Sequence, residues 1–480
     1  MRSVVLLLGY MGLVAAQPVG TFAPTGSMTG ARSGHTATLL LDGRVLITGG
    51  YRSTSADWNP ASPLASAELY DPVSGTFIPA GEMTTPRAFH TSVLLADGTV
   101  LIAGGQGPGG KNLLSAELYD PVNASFRRVG DTAESHTKVT LLLDGRVLMT
   151  GYLSAHAEIY DPVTGTFTFG GTYGDPLSCE SPDILLADGR VLIGEVQPPM
   201  LFDPASGTFS RTGAMKYCFH DGATLLTNGQ VLFAGGDADA FRSNVAELYD
   251  PSGGSFAATG KLTELLAWDN VMSLSDGTAL VTGGELDNCT GNFCMFGGST
   301  GTAEIYDRVN GTFAPAGSMV SKRELHTATL LRDGTVLIAG GVRYGGIGRF
   351  DGSLDSAEIY RPAKVAPAAA LLSLSGDGKG PGAIQHASTF QVVSADSPAV
   401  AGEILAIYGT GLLDGGAIPP QVSIGGRMAQ VLWFGNVAGY AGLNQINARV
   451  PDRVLAGSAV PVRINYIGRP SNEVTIGVRQ

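Results

Sequence analysis

The sequence predicts an all-β protein made of a seven-bladed β-propeller, closed by its N-terminal strand, and a small C-terminal β-sandwich. Three observations support this fold class. One motif recurs seven times along residues 20–362, the last copy lacks a strand that the N-terminus can supply, and the composition suits short strands. Of the 480 residues, 68 are Gly and 26 are Pro, whereas only 15% are charged, which is typical of turn-rich β-structure.

The repeat carries two turn elements that recur in phase. The first is an Asp-Gly or Asn-Gly dipeptide whose copies are 40 to 57 residues apart, the length of a four-stranded propeller blade. The dipeptide begins at Asp42, Asp97, Asp144, Asp188, Asn228, Asp276 and Asp333. The second is a Tyr-Asp-Pro element, with variants, that begins at Tyr70, Tyr119, Tyr160, Phe202, Tyr249, Tyr306 and Tyr360. Seven copies of each predict seven blades.

Each copy predicts four strands. The first two strands flank the Asp-Gly turn, which favours a two-residue hairpin with positive φ at both central residues. The last two flank an Asp-Pro-x-x-Gly turn. The seventh copy stops at Pro362 without its Thr-Phe strand, and an unpaired Gly-Thr-Phe occurs at residues 20–22. We expect this N-terminal strand to complete the last blade and close the ring, which removes exposed sheet edges.

These motifs resemble those of the kelch family, in particular bacterial kelch-repeat proteins with repeated His-Thr-Ala-Thr-Leu-Leu-x-Asp-Gly and Ala-Glu-Leu-Tyr-Asp-Pro elements. The resemblance covers residues 20–362 and implies a galactose-oxidase-like propeller architecture for a domain at 17–362. Copies three and four depart from the pattern, with Thr150-Gly151 and Gly194-Glu195 where the other copies have Gly-Gly. We therefore expect those two blades to be smaller or slightly splayed.

The C-terminal part has a different pattern. Residues 363–388 are rich in Ala, Gly and Pro and are predicted to be a linker. Residues 389–480 contain short β-patterned runs with turns every 8 to 15 residues, which predicts an immunoglobulin-like β-sandwich. Its motifs, such as Ile-Tyr-Gly-Thr-Gly-Leu at 407–412, resemble a C-terminal domain abundant in exported acidobacterial proteins. That resemblance implies a class and a location, and no activity.

The N-terminus has the features of a secretory signal peptide over residues 1–16. Arg2 precedes a short apolar run, and residues 14–16 fit the small-residue rule for cleavage. A secreted protein, extracellular or at the cell surface, is therefore expected. No membrane span is expected, because no later segment reaches about 20 apolar residues. The net charge of −12 argues against nucleic-acid partners, and we expect a monomer.

Four cysteines in an exported protein predict two disulfide bonds. Three pairings are possible. Cys289 and Cys294 are close enough in sequence to close one loop. Cys179 and Cys218 lie about one repeat apart, so a bond between adjacent blades is favoured for them.

Strand alternation places the long loops on one face of the propeller, together with a ring of polar residues where the innermost strands begin. Variable loops over a rigid scaffold are where binding specificity normally resides. The ring residues are His35, His90, His136, His220, Asp269 and His326, with Arg32, Arg87 and Arg323 three residues before three of the histidines. Candidate aromatic contacts for a sugar on the same face are Tyr51, Trp58 and Trp268.

This ring allows two interpretations. Imidazole can bind a metal ion, or an anionic or sugar ligand, but a residue repeated in five blades can also perform one structural task five times. The structural interpretation is favoured, because metal sites in propellers normally break the repeat symmetry. A structural pair with the glutamate of strand three is likewise favoured for the arginines.

The expected function is recognition of an extracellular glycan or protein through the long-loop face. The alternative is a propeller enzyme acting at the channel mouth, either like the copper-radical oxidases of the galactose oxidase group or with other carbohydrate-active chemistry. Resemblance to that group implies a Tyr joined to a Cys, a second Tyr beside a His ligand, and a further His. The residues that precede the five ring histidines include no Tyr. No catalytic residue, metal or cofactor is therefore expected.

Overall fold

The computed structural model describes residues 20–53, 62–151, 154–174, 181–217, 220–238, 241–242, 244–267, 269–290, 293–345, 349–412 and 417–480. Within these ranges nearly all regular structure is β-strand, and the one helix is the 3₁₀ turn Pro108–Gly110. The all-β fold class is confirmed. No helix in these ranges is long and apolar enough to cross a lipid bilayer. The predicted signal peptide at 1–16 lies outside the described residues.

Seven four-stranded antiparallel sheets follow one another along the described chain. The first strand, β1 (Thr21–Pro24), belongs to the last of them. Sheet 1 contains β2 (Thr36–Leu39), β3 (Val45–Thr48), β4 (Ser66–Asp71) and β5 (Thr76–Glu82). Sheet 2 contains β6 (Thr91–Leu94), β7 (Val100–Ala103), β8 (Ser115–Asp120) and β9 (Ser125–Asp131). Sheet 3 contains β10 (Lys138–Leu141), β11 (Val147–Thr150), β12 (His156–Asp161) and β13 (Thr166–Thr172).

Sheets 4 to 7 follow the same plan, and in sheets 5 to 7 a separate short hairpin is inserted after the second strand. Sheet 4 contains β14 (Ile184–Leu185), β15 (Val191–Ile193), β16 (Met200–Asp203) and β17 (Thr208–Arg211). Sheet 5 contains β18 (Gly222–Leu225), β19 (Val231–Ala234), the inserted β20 (Asp237–Ala238) and β21 (Phe241–Arg242), β22 (Ala246–Asp250) and β23 (Ser255–Ala258). Sheet 6 follows β24 (Leu266–Ala267) and contains β25 (Asn270–Ser273), β26 (Ala279–Thr282), the inserted β27 (Glu285–Thr290) and β28 (Phe293–Ser299), β29 (Thr302–Asp307) and β30 (Thr312–Ser318). Sheet 7 contains β31 (Thr327–Leu330), β32 (Val336–Ala339), the inserted β33 (Val342–Tyr344) and β34 (Phe350–Ser353), and β35 (Ala357–Arg361).

The Asp-Gly turns join the first two strands of each sheet, but their geometry differs from the prediction. In sheet 1 the Gly43 amide donates to the Leu40 carbonyl at 3.0 Å, and the Leu40 amide donates to the Arg44 carbonyl at 2.8 Å. Gly43 has a φ of 93°, whereas Asp42 does not have positive φ. The loop is therefore a three-residue hairpin in which only the glycine is left-handed. The Asp42 carboxylate accepts the Arg44 amide at 2.9 Å, so the aspartate serves as an acceptor.

Sheet 7 takes its fourth strand from the N-terminal end of the chain. β1 pairs with β35 and places Phe22 opposite Tyr360, with ring centroids 4.8 Å apart. The first strands of consecutive sheets contact one another, and the cycle returns to its start because β31 contacts β2. The seven sheets are therefore arranged in a ring.

The second strands carry the core of the ring. All seven are buried at every position, because each lies between two neighbouring sheets and is covered on both faces. One hydrophobic cluster joins Val45 and Ile47 of sheet 1 to Leu337 of sheet 7. Burial of each such side chain stabilises the fold by about 1.5 to 3 kcal/mol. Adjacent sheets are therefore held together mainly by these apolar contacts.

The C-terminal residues form a further sheet of ten strands within the described ranges. Its strands are β36 (Ala370–Leu371), β37 (Ile384–His386), β38 (Ala399–Val400), β39 (Ile404–Thr410), β40 (Gln421–Ile424), β41 (Arg427–Asn436), β42 (Asn444–Arg449), β43 (Gly457–Tyr466), β44 (Arg469–Pro470) and β45 (Val474–Arg479). The long strand β41 pairs with β40 near its start and with β42 further along. Both halves of the sheet thereby contribute to one core, which includes Leu405, Val422 and Val462.

The segment 363–388, predicted as a linker, contributes to this sheet. β36 and β37 both pair with β39, and Leu371 and Ile384 are buried in the C-terminal core. Short strands form in this segment of small residues because their apolar side chains are covered by the rest of the sheet.

The C-terminal sheet lies against the Asp-Gly turns of the ring. Arg332, beside the turn of sheet 7, donates to the Pro470 carbonyl at 3.0 Å. Arg469 in turn donates to the carbonyl of Arg332 at 3.0 Å. The first strands begin at the opposite face of the ring, away from the C-terminal sheet.

We expect Phe22→Ala to destabilise the ring. Phe22 is half-buried against Tyr360 in the closing strand, and loss of this contact should lower the free energy of unfolding by about 2 kcal/mol. Denaturant unfolding measures the change. Val73→Ala is the control, because Val73 is 95% exposed. Equal stabilities of the two variants would contradict the closing role of the strand.

Candidate functional site

A cavity of about 480 Å³ opens where the first strands of the ring begin. All seven sheets contribute to its lining, so it lies on the axis of the ring; we call it the channel mouth. Lining residues, one from each sheet in order, include His35, Phe89, Lys138, Asp183, Asp221, Asp269 and His326.

Three of the ring histidines form hydrogen bonds between neighbouring sheets. His90 Nε2 of sheet 2 lies 2.9 Å from Thr48 Oγ1 of sheet 1. His326 makes the equivalent bond to a threonine of sheet 6 at 3.0 Å, and His35 bonds to one of sheet 7 at 3.1 Å. Burial lowers the pKa of all three, that of His326 to about 3, so they are neutral at pH 7. Their Nε2 atoms are therefore engaged in joining sheets.

His136 and His220 occupy a different place. Each stands eight residues before its turn residue, whereas the other ring residues stand seven before it. The ring position itself is therefore Thr137 in sheet 3 and Asp221 in sheet 5. His136 Nε2 lies 2.8 Å from the strand-three glutamate of its own sheet, and the corresponding distance for His220 is 3.5 Å. These two histidines bond within their sheets.

The three predicted arginines form buried ion pairs with strand-three glutamates. Arg87 Nη2 lies 2.8 Å from Glu117 Oε1, and both side chains are fully buried. The same guanidinium donates to two backbone carbonyls at 2.8 and 3.0 Å. Arg32 with Glu68 and Arg323 with Glu358 repeat the arrangement. The geometry is that of a structural pair, and none of the three arginines is among the described residues that line the mouth.

Sheets 3 to 6 interrupt this pattern. None of them has an arginine at the equivalent position, and they bring other ionisable groups to the mouth: Lys138, Asp183, Glu195, Asp221 and Asp269. Lys138 stands where sheets 1, 2 and 7 have a threonine, and the last two aspartates stand where those sheets have histidine. The side of the mouth formed by sheets 3 to 6 is therefore chemically distinct.

Lys138, Glu195 and Asp183 form one charged cluster. Lys138 Nζ lies 2.8 Å from Glu195 Oε1 and donates to the Ser181 carbonyl at 2.6 Å. Asp183 accepts the Thr150 hydroxyl at 2.5 Å and a backbone amide at 2.9 Å. Burial raises the pKa of Glu195 to about 7 and also raises the pKa of Asp183, although Lys138 opposes both shifts. Glu195 can therefore exchange a proton near neutral pH.

Asp269 is the second unusual group at the mouth. It is only 6% exposed, and neither carboxylate oxygen has a hydrogen-bond partner within the described structure. The ring histidines bond to threonines of the preceding sheet, but sheet 5 has Gly222 and Ala234 at those positions. Burial, with repulsion from Asp221, raises the pKa of Asp269 well above its usual range. A buried carboxyl without a partner is costly and marks a candidate functional group.

Of the three aromatic residues predicted on the loop face, Tyr51 is described. It is buried, its hydroxyl donates to Gln106 at 3.1 Å, and its ring stands edge-on to Phe89 at 5.5 Å. Tyr51 therefore packs inside the protein and does not offer a stacking surface. Trp58 and Trp268 lie outside the described residues.

The predicted disulfide bonds stay predictions. The backbone places Cys289 opposite Cys294 in the hairpin of β27 and β28, but their side chains are outside the description. Cys179 and Cys218 also lie outside the described residues.

Sequence reasoning identified Asp269 and missed four of the five ionisable residues of sheets 3 to 6. It searched for positions that the copies share, whereas these residues are departures from the shared pattern. One departure was visible, since Glu195 replaces the second glycine of Gly-Gly. The others become visible when the seven copies are superposed, as positions where Thr, Ala or His in sheets 1 and 7 is replaced by Lys or Asp.

Comparison with known proteins gives a consistent picture of the fold. No protein-family model matches the chain. Two curated relatives, both described as galactose oxidase from Gibberella zeae, are 34% identical over 96 residues. That match spans 20% of this chain and only 14% of the relatives' length. A solved structure described as a novel fungal alcohol oxidase of the AA5 family, in complex with copper, aligns with a TM-score of 0.59 and 16% identity.

The structural alignment covers 96% of this chain and all of that oxidase chain. The chain has a galactose-oxidase-like all-β fold. The prediction that the protein is primarily a binding protein is wrong, because both comparisons lead to oxidases. They favour the alternative, an enzyme.

A copper-radical centre does not fit the residues that the structure describes at the mouth. Three ring histidines already bond to threonines through Nε2, and none of the described lining residues is a tyrosine. In the described ranges, no three His, Cys, Asp or Glu side chains approach closely enough to hold a metal ion. No step of the chemistry proposed below runs through copper.

We expect Arg87→Met to be strongly destabilising. The substitution leaves the Glu117 carboxylate buried without its cation, which should lower the free energy of unfolding by about 3 to 5 kcal/mol. Chemical denaturation measures the change. Arg44→Met is the matched control, because its pair with Asp42 is largely solvated and should contribute less than about 1 kcal/mol. Similar losses in both variants would contradict a structural role for the buried pair.

We expect His326 to make the fold sensitive to acid. Its pKa is about 3 in the folded state against an ordinary value of 6.5, so the unfolded chain binds the proton first as the pH falls. The stability it contributes is present above pH 6.5 and should fall by about 2 kcal/mol at pH 5. Chemical denaturation at pH 7 and pH 5 measures the effect: between these pH values the wild type should lose about 2 kcal/mol more free energy of unfolding than His326→Gln. A constant difference between them would refute it.

Proposed function

We propose that this protein is a propeller enzyme. In this proposal the ring of sheets is a seven-bladed propeller, and the channel mouth is the active site for a hydroxyl-bearing small molecule, a sugar or an alcohol. The likeness to galactose oxidase and to an alcohol oxidase supports this substrate class. The position of the cavity, on the axis and lined by every sheet, supports the site.

The observation that carries the proposal is the cluster of the buried Glu195 with the partly buried Lys138 and Asp183. It interrupts a repeat whose polar residues otherwise join sheets or pair within them. Withdrawing three ionisable groups wholly or partly from water beside a cavity costs stability, and selection for packing alone does not favour it. Perturbed ionisable groups in a cleft are typical of active sites.

Glu195 is the proton-transfer group in this proposal. With a pKa of about 7, its carboxylate can accept a proton from a substrate hydroxyl and return it in a later step. The Lys138 ammonium, 2.8 Å from Glu195 Oε1, stabilises the carboxylate or negative charge that develops on a substrate oxygen. The Tyr173 hydroxyl donates to Glu195 Oε2 at 3.3 Å and orients the carboxyl group.

We also propose that the C-terminal sheet is an immunoglobulin-like domain and that the protein is secreted. The resemblance of residues 407–412 to exported bacterial proteins supports both statements, and the apolar leader at 1–16 supports secretion. A disulfide between Cys289 and Cys294 fits an exported protein, and the paired register of these residues supports it.

The proposed enzyme can be tested by incubating the purified full chain with galactose, glycerol and benzyl alcohol. Products are followed by NMR, and peroxide release is measured with and without added copper. We expect conversion of at least one compound, and a rate that changes through about pH 7. Glu195→Gln should lower kcat by about 10² to 10⁴ fold and abolish that pH dependence.

Glu304→Gln is the control for this experiment, since Glu304 is also a buried glutamate whose pKa is raised by burial, but it does not line the mouth. It should leave the rate unchanged. Absence of conversion of all three compounds, or full activity in Glu195→Gln, would count against the proposal.

A further inference from the structure

We propose that the channel mouth binds a substrate that carries a protonated amine, with Asp269 as the counter-ion of the ammonium group. The inference rests on the proposed function, in that it assigns the substrate class of the same site. It goes beyond the alcohols and sugars that the comparisons suggest.

The first support is the environment of Asp269. Its side chain is about nine-tenths buried, lines the cavity, and has both oxygens without a partner within the described structure. No described cation pairs with it in the way that Arg87 pairs with Glu117. A buried carboxyl in this state lacks the compensation that buried charges normally have. A ligand ammonium can supply that compensation with a charge-assisted hydrogen bond.

The second support is the charge balance of the mouth. The ionisable groups that line the cavity from the described residues are four carboxyls and a single ammonium: Asp183, Glu195, Asp221 and Asp269 with Lys138. The two lining histidines are neutral at pH 7, because burial lowers the pKa of each. Carboxyls therefore outnumber cationic groups at the mouth, and a protonated carboxyl can release its proton to pair with a ligand cation.

The side chains that line the mouth fit an organic cation better than a metal ion. Metal ions such as Ca²⁺ take several oxygen ligands at short distances, and no cluster of three suitable side chains occurs within the described ranges. The side of the mouth formed by sheets 1, 2 and 7 carries the apolar side chains of Phe89 and Leu325 together with the neutral His35 and His326.

Phe89 and Leu325 both have positive φ angles, which residues other than glycine seldom adopt. Their φ angles are 49° and 51°, and Gly34 at the equivalent position of sheet 1 has a φ of 59°, so this conformation belongs to the repeat. Phe89 is 40% exposed, so its ring can contact the carbon skeleton or the cation of a ligand. The mouth thus combines a carboxyl-rich side with the apolar side chains of Phe89 and Leu325, which suits an amino sugar or an amino alcohol.

Calorimetric titration of the full chain with galactosamine and with galactose tests the inference, since the two sugars differ by one ammonium in place of one hydroxyl. We expect galactosamine to bind about tenfold more tightly or better at pH 7. We also expect proton release on binding, measured by repeating the titration in buffers of different ionisation enthalpy. Asp269→Asn should remove the preference for galactosamine over galactose.

Glu304→Gln should keep the preference, and thermal unfolding should show that Asp269→Asn is folded. Equal affinities for the two sugars, or a preference that survives in Asp269→Asn, would overturn the inference. Calcium chloride is the third probe: Ca²⁺ binding that depends on Asp269, without galactosamine binding, would identify a metal site and also overturn it. Conversion of galactose with no amine preference would leave the proposed enzyme standing. Galactosamine binding without conversion of any compound would support the amine site and count against the proposed enzyme.

Discussion

Each sheet of the ring buries its second strand between two neighbours, so every sheet depends on the next one for the cover of its apolar side chains. The pairing of β1 with β35 is the contact on which this mutual cover depends. Without it, sheet 7 has an exposed edge at β35 and the ring is held only by the faces of its sheets. The hydrogen bonds from ring histidines to threonines and the buried arginine pairs add directional links to this framework.

The same framework explains where chemistry can be placed. Sheets 1, 2 and 7 use their polar residues at the mouth for structure, with a histidine, a threonine and an arginine repeated in each. Sheets 3 to 6 have lost the arginine and have gained Lys138, Glu195 and Asp269 on the axis. Loss of a structural pair lowers stability, but a ring closed on itself retains its other links. The site is therefore supported by the regular side of the ring.

Most of the fold was predictable because its determinants are local and repeated. Turn residues recur in every copy, and the missing strand at Pro362 is matched by one at residues 20–22. The hairpin type was predicted wrongly, since Asp42 acts as a hydrogen-bond acceptor without positive φ. The site was not predictable in the same way: Lys138 and Glu195 belong to different sheets, and their 2.8 Å contact arises from packing between copies.

The split construction of sheet 7 also has a kinetic consequence. Thr21 pairs with Arg361, so segments 340 residues apart in the sequence must meet before the ring is complete. Loop-closure entropy grows only slowly with length, but non-local strand pairing is slow. Six sheets can form during synthesis while β1, which is made first, waits for β35. The time that β1 takes to find β35 therefore sets how long an unpaired edge is open to aggregation.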